Sequence, residues 1–400
     1  MSTRNRRIWE RSGRPYPRKL VSVSALTAAA LAVSGAGFSL AASARTARTV
    51  ARASGASWSS ATSAAAGGGM SALVAAAKAE GKLNVIALPS NWANYGAEIS
   101  TFAKKYGIKV VSEDPSDSSA QEIEAIKTSR GRSSAPDVVD VGGAFASAGA
   151  SAGLFAPYKV ASWADIPANQ KASNAAYYQD YGGFISFGCN MKLLGSTPCP
   201  TTWSELESSQ YKGDVDLNGS PTSANAALSA VWAAAVNNGG SAGNIAPGVA
   251  FFKTLQSKGN FNSTDCNAAA VISVSCPITI NWDYLNTVSA WGLPGSTQWK
   301  VVDPSGIPFG GFYDQAVSKY AQHPAAARLW EEFLYSTTGQ NLWLKGGARP
   351  VELAAMVKAG TEAKAAYAGL PTVTDLAKAV IPTTAQSTAA SSYITANWTS

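Results

Sequence analysis

The regular alternation of short apolar runs with helical patterns in the first half constrains the fold of this 400-residue chain more than any other feature. Strand patterns at 83–88, 108–111 and 138–141 are separated by helical patterns at 92–106 and 120–128. Helices of this length connect parallel strands, so the alternation predicts an α/β domain with a mostly parallel sheet covered on both faces.

Each of these strands is followed by a polar or glycine-rich loop, at 89–92, 114–119 and 142–145. Because such loops meet at one edge of a sheet, their side chains and the helix N–H groups are predicted to converge on a single binding rim. Asp117 and the adjacent serines are also ordinary N-cap residues, and helix capping is the alternative role for them.

The segment Ile278–Tyr284 is a β-branched run that ends in Trp282, Asp283 and Tyr284. Its composition predicts a buried strand whose C-terminal end presents these three side chains. Two aromatic faces around one carboxylate suit a small organic cation. In the alternative interpretation the two rings belong to the core and Asp283 caps the next helix.

The second half begins with an aromatic, glycine-bearing run at 177–188, which predicts a strand crossing between two lobes. The strand–helix pattern then restarts with a strand at 214–217 and a helix at 224–236. The run 301–313 predicts a return crossing, and an amphipathic helix follows at 324–335.

The positive net charge of the chain is concentrated at its N-terminus. A basic segment, the apolar stretch 20–40 and the small-residue site Ala42-Ser43-Ala44 predict a secretory signal peptide over residues 1–44, with a membrane anchor as the alternative. From residue 70 onward 22 basic residues stand against 24 acidic ones, which argues against nucleic-acid binding. Residues 45–69 are small and polar, which predicts a flexible or disordered tail, and residues 384–400 read as a C-terminal tail of Ser, Thr and Ala.

Four cysteines fall in one window of the exported part, in two pairs that are each ten residues apart. This spacing predicts two local disulfides, Cys189–Cys199 and Cys266–Cys276, although three pairings are possible. A zinc site is the alternative, but there is no CxxC motif and the single histidine, His323, is distant in sequence.

Six motifs between residues 82 and 352 occur in a recognisable order: 136–141 with 153–158, 181–190, 200–206 with 211–213, Asn281–Tyr284, 323–336 and 339–350. In this order they resemble the bacterial extracellular solute-binding proteins of ABC importers, in the branch that includes ferric-iron, thiamine, polyamine and phosphonate binders. No cysteine directly follows the apolar N-terminal stretch, so we expect none of the lipid attachment common among such proteins.

The resemblance implies an α/β, two-lobed periplasmic-binding-protein-like fold of type II, with the lobes joined by two crossing strands. Lobe 1 would comprise residues 70–184 and 305–383, and lobe 2 residues 185–304. A small ligand would be trapped in the cleft by hinge closure and delivered to an ABC permease. We expect a monomer outside the cytoplasmic membrane, with no catalytic activity, cofactor, metal or nucleic-acid partner.

We expect the ligand to contact ten residues at loop tips that face the cleft: Asn91, Trp92, Tyr95, Ser118, Phe145, Thr222, Trp282, Asp283, Tyr284 and Tyr313. Aromatic walls with a carboxylate favour an organic amine or polyamine-like cation. Hydroxyl groups at helix N-termini would instead suit a phosphonate or another anionic or zwitterionic compound, and metal and sugar ligands remain open. A secreted hydrolase is the alternative from another class, but it would have to use His323, and no GxSxG motif is present.

Overall fold

The computed structural model describes residues 57–273, 275–287, 291–293 and 298–399. The predicted signal peptide and the first part of the predicted tail, up to residue 56, lie outside the described residues.

Eleven strands occur in the described part of the chain. They are β1 Lys82–Ile86, β2 Lys109–Glu113, β3 Val138–Gly142, β4 Phe155–Ala156, β5 Tyr178–Asn190, β6 Val215–Leu217, β7 Phe261–Asp265, β8 Ile278–Trp282, β9 Trp299–Val302, β10 Gly310–Ser318 and β11 Arg349–Pro350.

Thirteen α-helices accompany these strands within the same described ranges. They are α1 Met70–Glu80, α2 Tyr95–Tyr106, α3 Ser119–Thr128, α4 Gly143–Ser151, α5 Met191–Leu194, α6 Asn225–Asn237, α7 Ala246–Lys258, α8 Ala268–Ile272, α9 Pro324–Leu334, α10 Thr337–Lys345, α11 Leu353–Ala359, α12 Lys364–Ala368 and α13 Thr384–Asn397.

The long strand β5 joins two lobes. Its first half, Tyr178–Phe184, pairs with β10 and β11, and its second half, Ile185–Asn190, pairs with β8 and β9. We call lobe 1 the part built on β1–β4, β10, β11, α1–α4 and α9–α12, and lobe 2 the part built on β6–β9 and α5–α8. The chain leaves lobe 1 along β5 and returns along β10.

The main sheet is mixed, in the order β3-β10-β5-β8-β6-β7, and β1 and β2 form a separate parallel pair. The expectation of a mostly parallel sheet is therefore wrong. The outgoing strand β5 and the returning strand β10 pair in opposite directions. The neighbouring pairs β10–β3 and β5–β8 are also antiparallel. Parallel pairing persists where helices connect the strands, as between β6 and β7.

Both segments predicted to be tails, of which only residues 45–69 are predicted to be flexible, are packed where the structure describes them. In the turns of residues 57–69, the carbonyls of Ala61 and Ser59 accept hydrogen bonds from the buried Arg328 guanidinium, at 2.8 and 3.2 Å. The C-terminal segment forms α13, which starts with a capping box at Thr383 and buries Ile394. Composition misled here because backbone hydrogen bonds and a few apolar contacts suffice to order small-residue segments.

Both predicted disulfides are present. Cys189–Cys199 links the end of β5 to the following loop, and Cys266–Cys276 links the residue after β7 to the segment before β8, with Cα–Cα distances of 5.8 and 5.9 Å. No helix in the described ranges is both long and apolar enough to cross a membrane.

Candidate functional site

A cavity of about 360 Å³ lies between the lobes, at the carboxyl ends of the strands. Lobe 1 contributes the β1–α2 and β2–α3 loops, and lobe 2 contributes the β6–α6 loop, the end of β7 and the residues after β8. Its lining includes Pro89, Asn91, Trp92, Asp117, Ser118, Glu122, Asp140, Asn218, Ser223, Asn225, Asp265, Leu285, Trp291 and Tyr313. Two of the three predicted loops, 89–92 and 114–119, therefore contribute to one wall. Residues 142–145 do not line the cavity, because β3 runs directly into α4 at Gly143.

The two lobes touch across this cavity. The amide of Ala120, in α3, donates to the carbonyl of Ser223 in the β6–α6 loop, at 3.3 Å. Close approach also depends on Gly142, because a Cβ at this position would lie 2.1 Å from Cγ of Asn225 in the opposite lobe. The arrangement is a closed cleft.

Asp140, in the middle of β3, is a buried carboxylate of the cavity wall that has hydrogen-bond partners at only one of its two oxygens. Its Oδ2 accepts hydrogen bonds from the hydroxyls of Tyr95 and Tyr181, at 2.7 and 2.8 Å. Its Oδ1 has no hydrogen-bond partner within the described chain. Burial raises the pKa of Asp140 to about 7, although the two tyrosine hydroxyls lower it.

Three further carboxylates line the cavity. Glu122 is buried, and its Oε2 accepts from the amide of Asp140 at 3.0 Å. Burial raises the pKa of Glu122 well above its usual value, and the neighbouring Asp140 charge adds to this effect. Asp117 and Asp265 complete the set, and no described lining residue has a basic side chain. The described wall therefore carries acidic side chains and no basic ones.

Aromatic rings form the rest of the wall. The indole N–H of Trp92 donates to the Tyr181 hydroxyl at 2.8 Å, and its ring meets that of Tyr313 edge-on, with centroids 5.8 Å apart. Trp291 lines the lobe 2 side. Rings fixed by hydrogen bonds and by one another offer rigid apolar and π surfaces to a ligand.

The structure places four of the ten predicted ligand contacts on the cavity wall, namely Asn91, Trp92, Ser118 and Tyr313. Tyr95 and Trp282 lie beneath the wall and support it. Tyr95 holds Asp140, and the indole N–H of Trp282 donates to the Tyr313 hydroxyl at 3.4 Å.

The other four predicted residues are not on the wall. Asp283 is buried, with Oδ1 accepting from the amides of Phe184 and Tyr284 and Oδ2 paired with Arg349 at 2.6 Å. Tyr284 and Phe145 are core residues, and the Thr222 hydroxyl is bonded to that of Ser220 at 2.8 Å. The carboxylate of Asp283 therefore joins β8 to β11, and we do not include it in the candidate site.

Sequence reasoning missed Asp140, Glu122, Asp265, Asn225 and Trp291. A signal existed for Asp140, because it is a charged residue inside the otherwise apolar strand Val138–Val141. Within the described ranges, no group of three or more histidine, cysteine or acidic side chains is arranged to hold a metal.

Two α/β lobes joined by crossing strands around a closed cavity define the periplasmic-binding-protein class, and solved structures of that class share this fold. AgtB from A. tumefaciens R10, in complex with agropinic acid, aligns with a TM-score of 0.62 and 14% identity, over 79% of this chain and 97% of its own. Iron-bound HitA from Pseudomonas aeruginosa aligns with a TM-score of 0.56 and 18% identity, over 78% and 97%. AfuA from Actinobacillus pleuropneumoniae, with fructose-6-phosphate bound, gives 0.57 and 18%, over 69% and 86%.

The sequence profile of the bacterial extracellular solute-binding protein family matches residues 133–370, and the chain belongs to this family. It is therefore an extracellular solute-binding protein, the kind of protein that binds a small ligand and works with the permease of an ABC importer. A search of curated protein sequences found no match.

Proposed function

We propose that this protein captures a small organic cation, of the amine or polyamine type, in the interlobe cavity and delivers it to its permease. The observation that carries the proposal is the composition of the wall, which has four carboxylates and no basic side chain among its described residues. We further propose that the signal peptide is removed after Ala44, so that the protein acts outside the cytoplasmic membrane.

The energetics of buried charge support a cation. An ionised carboxylate in a water-poor site is costly unless a positive partner or hydrogen-bond donors compensate it. Asp140 lines the cavity and its buried Oδ1 has no hydrogen-bond partner in the described chain, so an ammonium group beside this side chain would compensate its charge. The aromatic side chains of Trp92 and Tyr313, which both line the cavity, would add cation–π attraction.

The size of the cavity is consistent with a compact ligand. A volume of about 360 Å³ is at the lower end of the range of small-molecule sites, roughly 300–1,000 Å³. Asn91 and Ser118 would add hydrogen bonds that fix the orientation of the ligand. Because both lobes supply wall residues, a ligand gains the full set of contacts only when the lobes are closed.

A phosphonate or another anionic or zwitterionic compound is the second candidate. The N-termini of α3 and α6 both reach the cavity, and helix N-termini favour anions. Asp117 immediately precedes the first turn of α3, however, and the Ser118 hydroxyl donates to its capping partner Gln121 at 2.7 Å. These contacts make the site less suitable for a phosphonate group than for an amine.

Isothermal titration of the chain lacking residues 1–44 tests both candidates. Spermidine, putrescine and choline serve as cations, and phosphate and 2-aminoethylphosphonate serve as anionic and zwitterionic probes. The proposal predicts saturable binding of at least one cation, with strong loss of affinity in the Asp140→Asn variant. Binding of the phosphonate alone, unaffected by this substitution, would contradict it.

A further inference from the structure

The C-terminal segment of the chain lies outside the family match, which ends at residue 370. This segment includes Val380, helix α13 and Trp398, and it contacts three separate parts of the molecule. The profile match therefore says nothing about this segment, whose role has to be inferred from its own contacts.

The first contact lies beside the returning strand. The amide of Gly310, the first residue of β10, donates to the carbonyl of Val380 at 2.9 Å, and the amide of Val380 donates to the carbonyl of Pro308 at 2.8 Å. The segment is thus fixed to the chain where it crosses between the lobes.

The second contact is on lobe 1. Helix α13 packs against α4, the helix that follows the strand carrying Asp140. Ala390 and Ile394 are the buried residues of α13, so the helix has its own apolar attachment. Near its start, Ser387 lies beside Gly143, the first residue of α4.

The third contact is on lobe 2. Helix α13 also touches α6 and α7, and Trp398 follows directly after the helix. The Trp398 ring packs against Phe252 of α7 and Phe261 of β7, with centroid distances of 5.7 and 6.2 Å. One continuous segment therefore contacts lobe 1, lobe 2 and the start of the crossing strand β10.

We propose that residues 380–399 form a strap that holds the two lobes closed, with Trp398 as its releasable contact on lobe 2. Opening the cleft rotates α7 and β7 relative to α4, and a strap attached to both sides resists this rotation. The Trp398 contact is the part that can yield, because the indole is only partly buried, whereas Ile394 is fully buried. The strap sets how often the cleft opens, whatever ligand it holds.

Hydrogen exchange in the ligand-free protein tests the strap without any assumption about the ligand. The Ala120 amide reports cleft opening, because it donates across the cleft to Ser223. The amides of Asp137 and Ile278 donate to Asn84 and Asp214 within lobe 1 and lobe 2 respectively, so they report the integrity of each lobe. We expect Trp398→Ala to speed exchange at Ala120 by about tenfold and to leave the two lobe amides unchanged.

Two variants serve as controls. Tyr393→Ala removes an exposed aromatic side chain from the same helix and should leave exchange at Ala120 as in the unmodified protein. Trp398→Phe keeps an aromatic ring against lobe 2 and should restore most of the protection.

Unchanged exchange at Ala120 in Trp398→Ala would overturn the proposal. Equal acceleration at Ala120, Asp137 and Ile278 would also overturn it, because that result indicates general destabilisation. If Tyr393→Ala accelerated exchange at Ala120 as much as Trp398→Ala does, the proposal would also be overturned, because the effect would not then depend on the Trp398 contact with lobe 2.

Discussion

Asp140→Asn is the substitution that most directly tests the charge of the binding site. Asparagine keeps the shape of the side chain, and its amide oxygen can still accept hydrogen bonds from Tyr95 and Tyr181, so the wall should stay in place. What is lost is the negative charge beside the ligand. A hydrogen bond to a charged group contributes about 1.5–3 kcal/mol. Affinity for the best cation should therefore fall by about 10- to 150-fold.

The same residue predicts how binding depends on pH. Burial raises the pKa of Asp140 to about 7, so below that pH the unliganded site holds a proton that a cation must displace. Affinity should therefore rise from pH 5 to pH 7, by up to about tenfold per unit, and level off above. Glu122 faces Asp140 and is itself protonated more readily than usual, so it can add to the proton release.

Isothermal titration in two buffers with different ionisation enthalpies measures both effects, because the difference in heat gives the number of protons released. In Asp140→Asn the affinity should be lower and its pH dependence should be weaker. Asp283→Asn is the matched control, since it neutralises another buried carboxylate that is paired with Arg349 and lies outside the cavity. Equal loss of affinity in the two variants, or none in either, would refute the reasoning.

Three other predictions follow from buried groups and close contacts. Asp283→Asn should lower the free energy of unfolding by about 3 kcal/mol, because it leaves Arg349 without its buried partner. Chemical denaturation measures this loss. The same substitution should change cation affinity less than twofold, as measured by isothermal titration. The ligand-free protein should be more stable at pH 5 than at pH 8, because burial raises the pKa of Asp216 and Glu331 to about 8. A carboxyl group whose pKa is raised in the folded state contributes stability that is lost as the pH rises through that pKa. Chemical denaturation at the two pH values measures the difference in the free energy of unfolding. Gly142→Ala should hold the lobes apart, because its Cβ would overlap Asn225, and small-angle scattering should report a larger radius of gyration with weaker ligand binding.

The sequence predicts the local elements of the fold well, because their signals are local. The apolar run at 138–141 and the helical pattern at 224–236 correspond to β3 and α6 to within a residue or so. The direction of pairing in the sheet is different, because it depends on where a distant segment returns. The antiparallel contact of β10 with β3 joins residues about 170 positions apart, and no local pattern encodes it.

The candidate site was predictable to the extent that it follows from loop position. Asn91, Trp92 and Ser118 are on βα loops, and such loops meet at the carboxyl edge of a sheet. The position of Asp283 instead depends on Arg349, which is 66 residues away and is brought close only when β11 pairs with β5. An acidic residue after a strand gives no sign of whether it will find a distant basic partner.

Charge and closure are linked at this site. When the lobes close without a ligand, Asp140 and Glu122 lose water and gain no positive partner, so closure raises the pKa of both carboxylates and favours their protonation. The proposed cation would supply the missing positive charge and contact both lobes. Closure around an anion of the same size would bring its negative charge close to the carboxylates of the cavity wall, which is unfavourable. With the proposed cation as ligand, selectivity for charge would arise mainly in the closed state. Any contact that favours closure, including the proposed C-terminal strap, would then strengthen cation binding without touching the ligand.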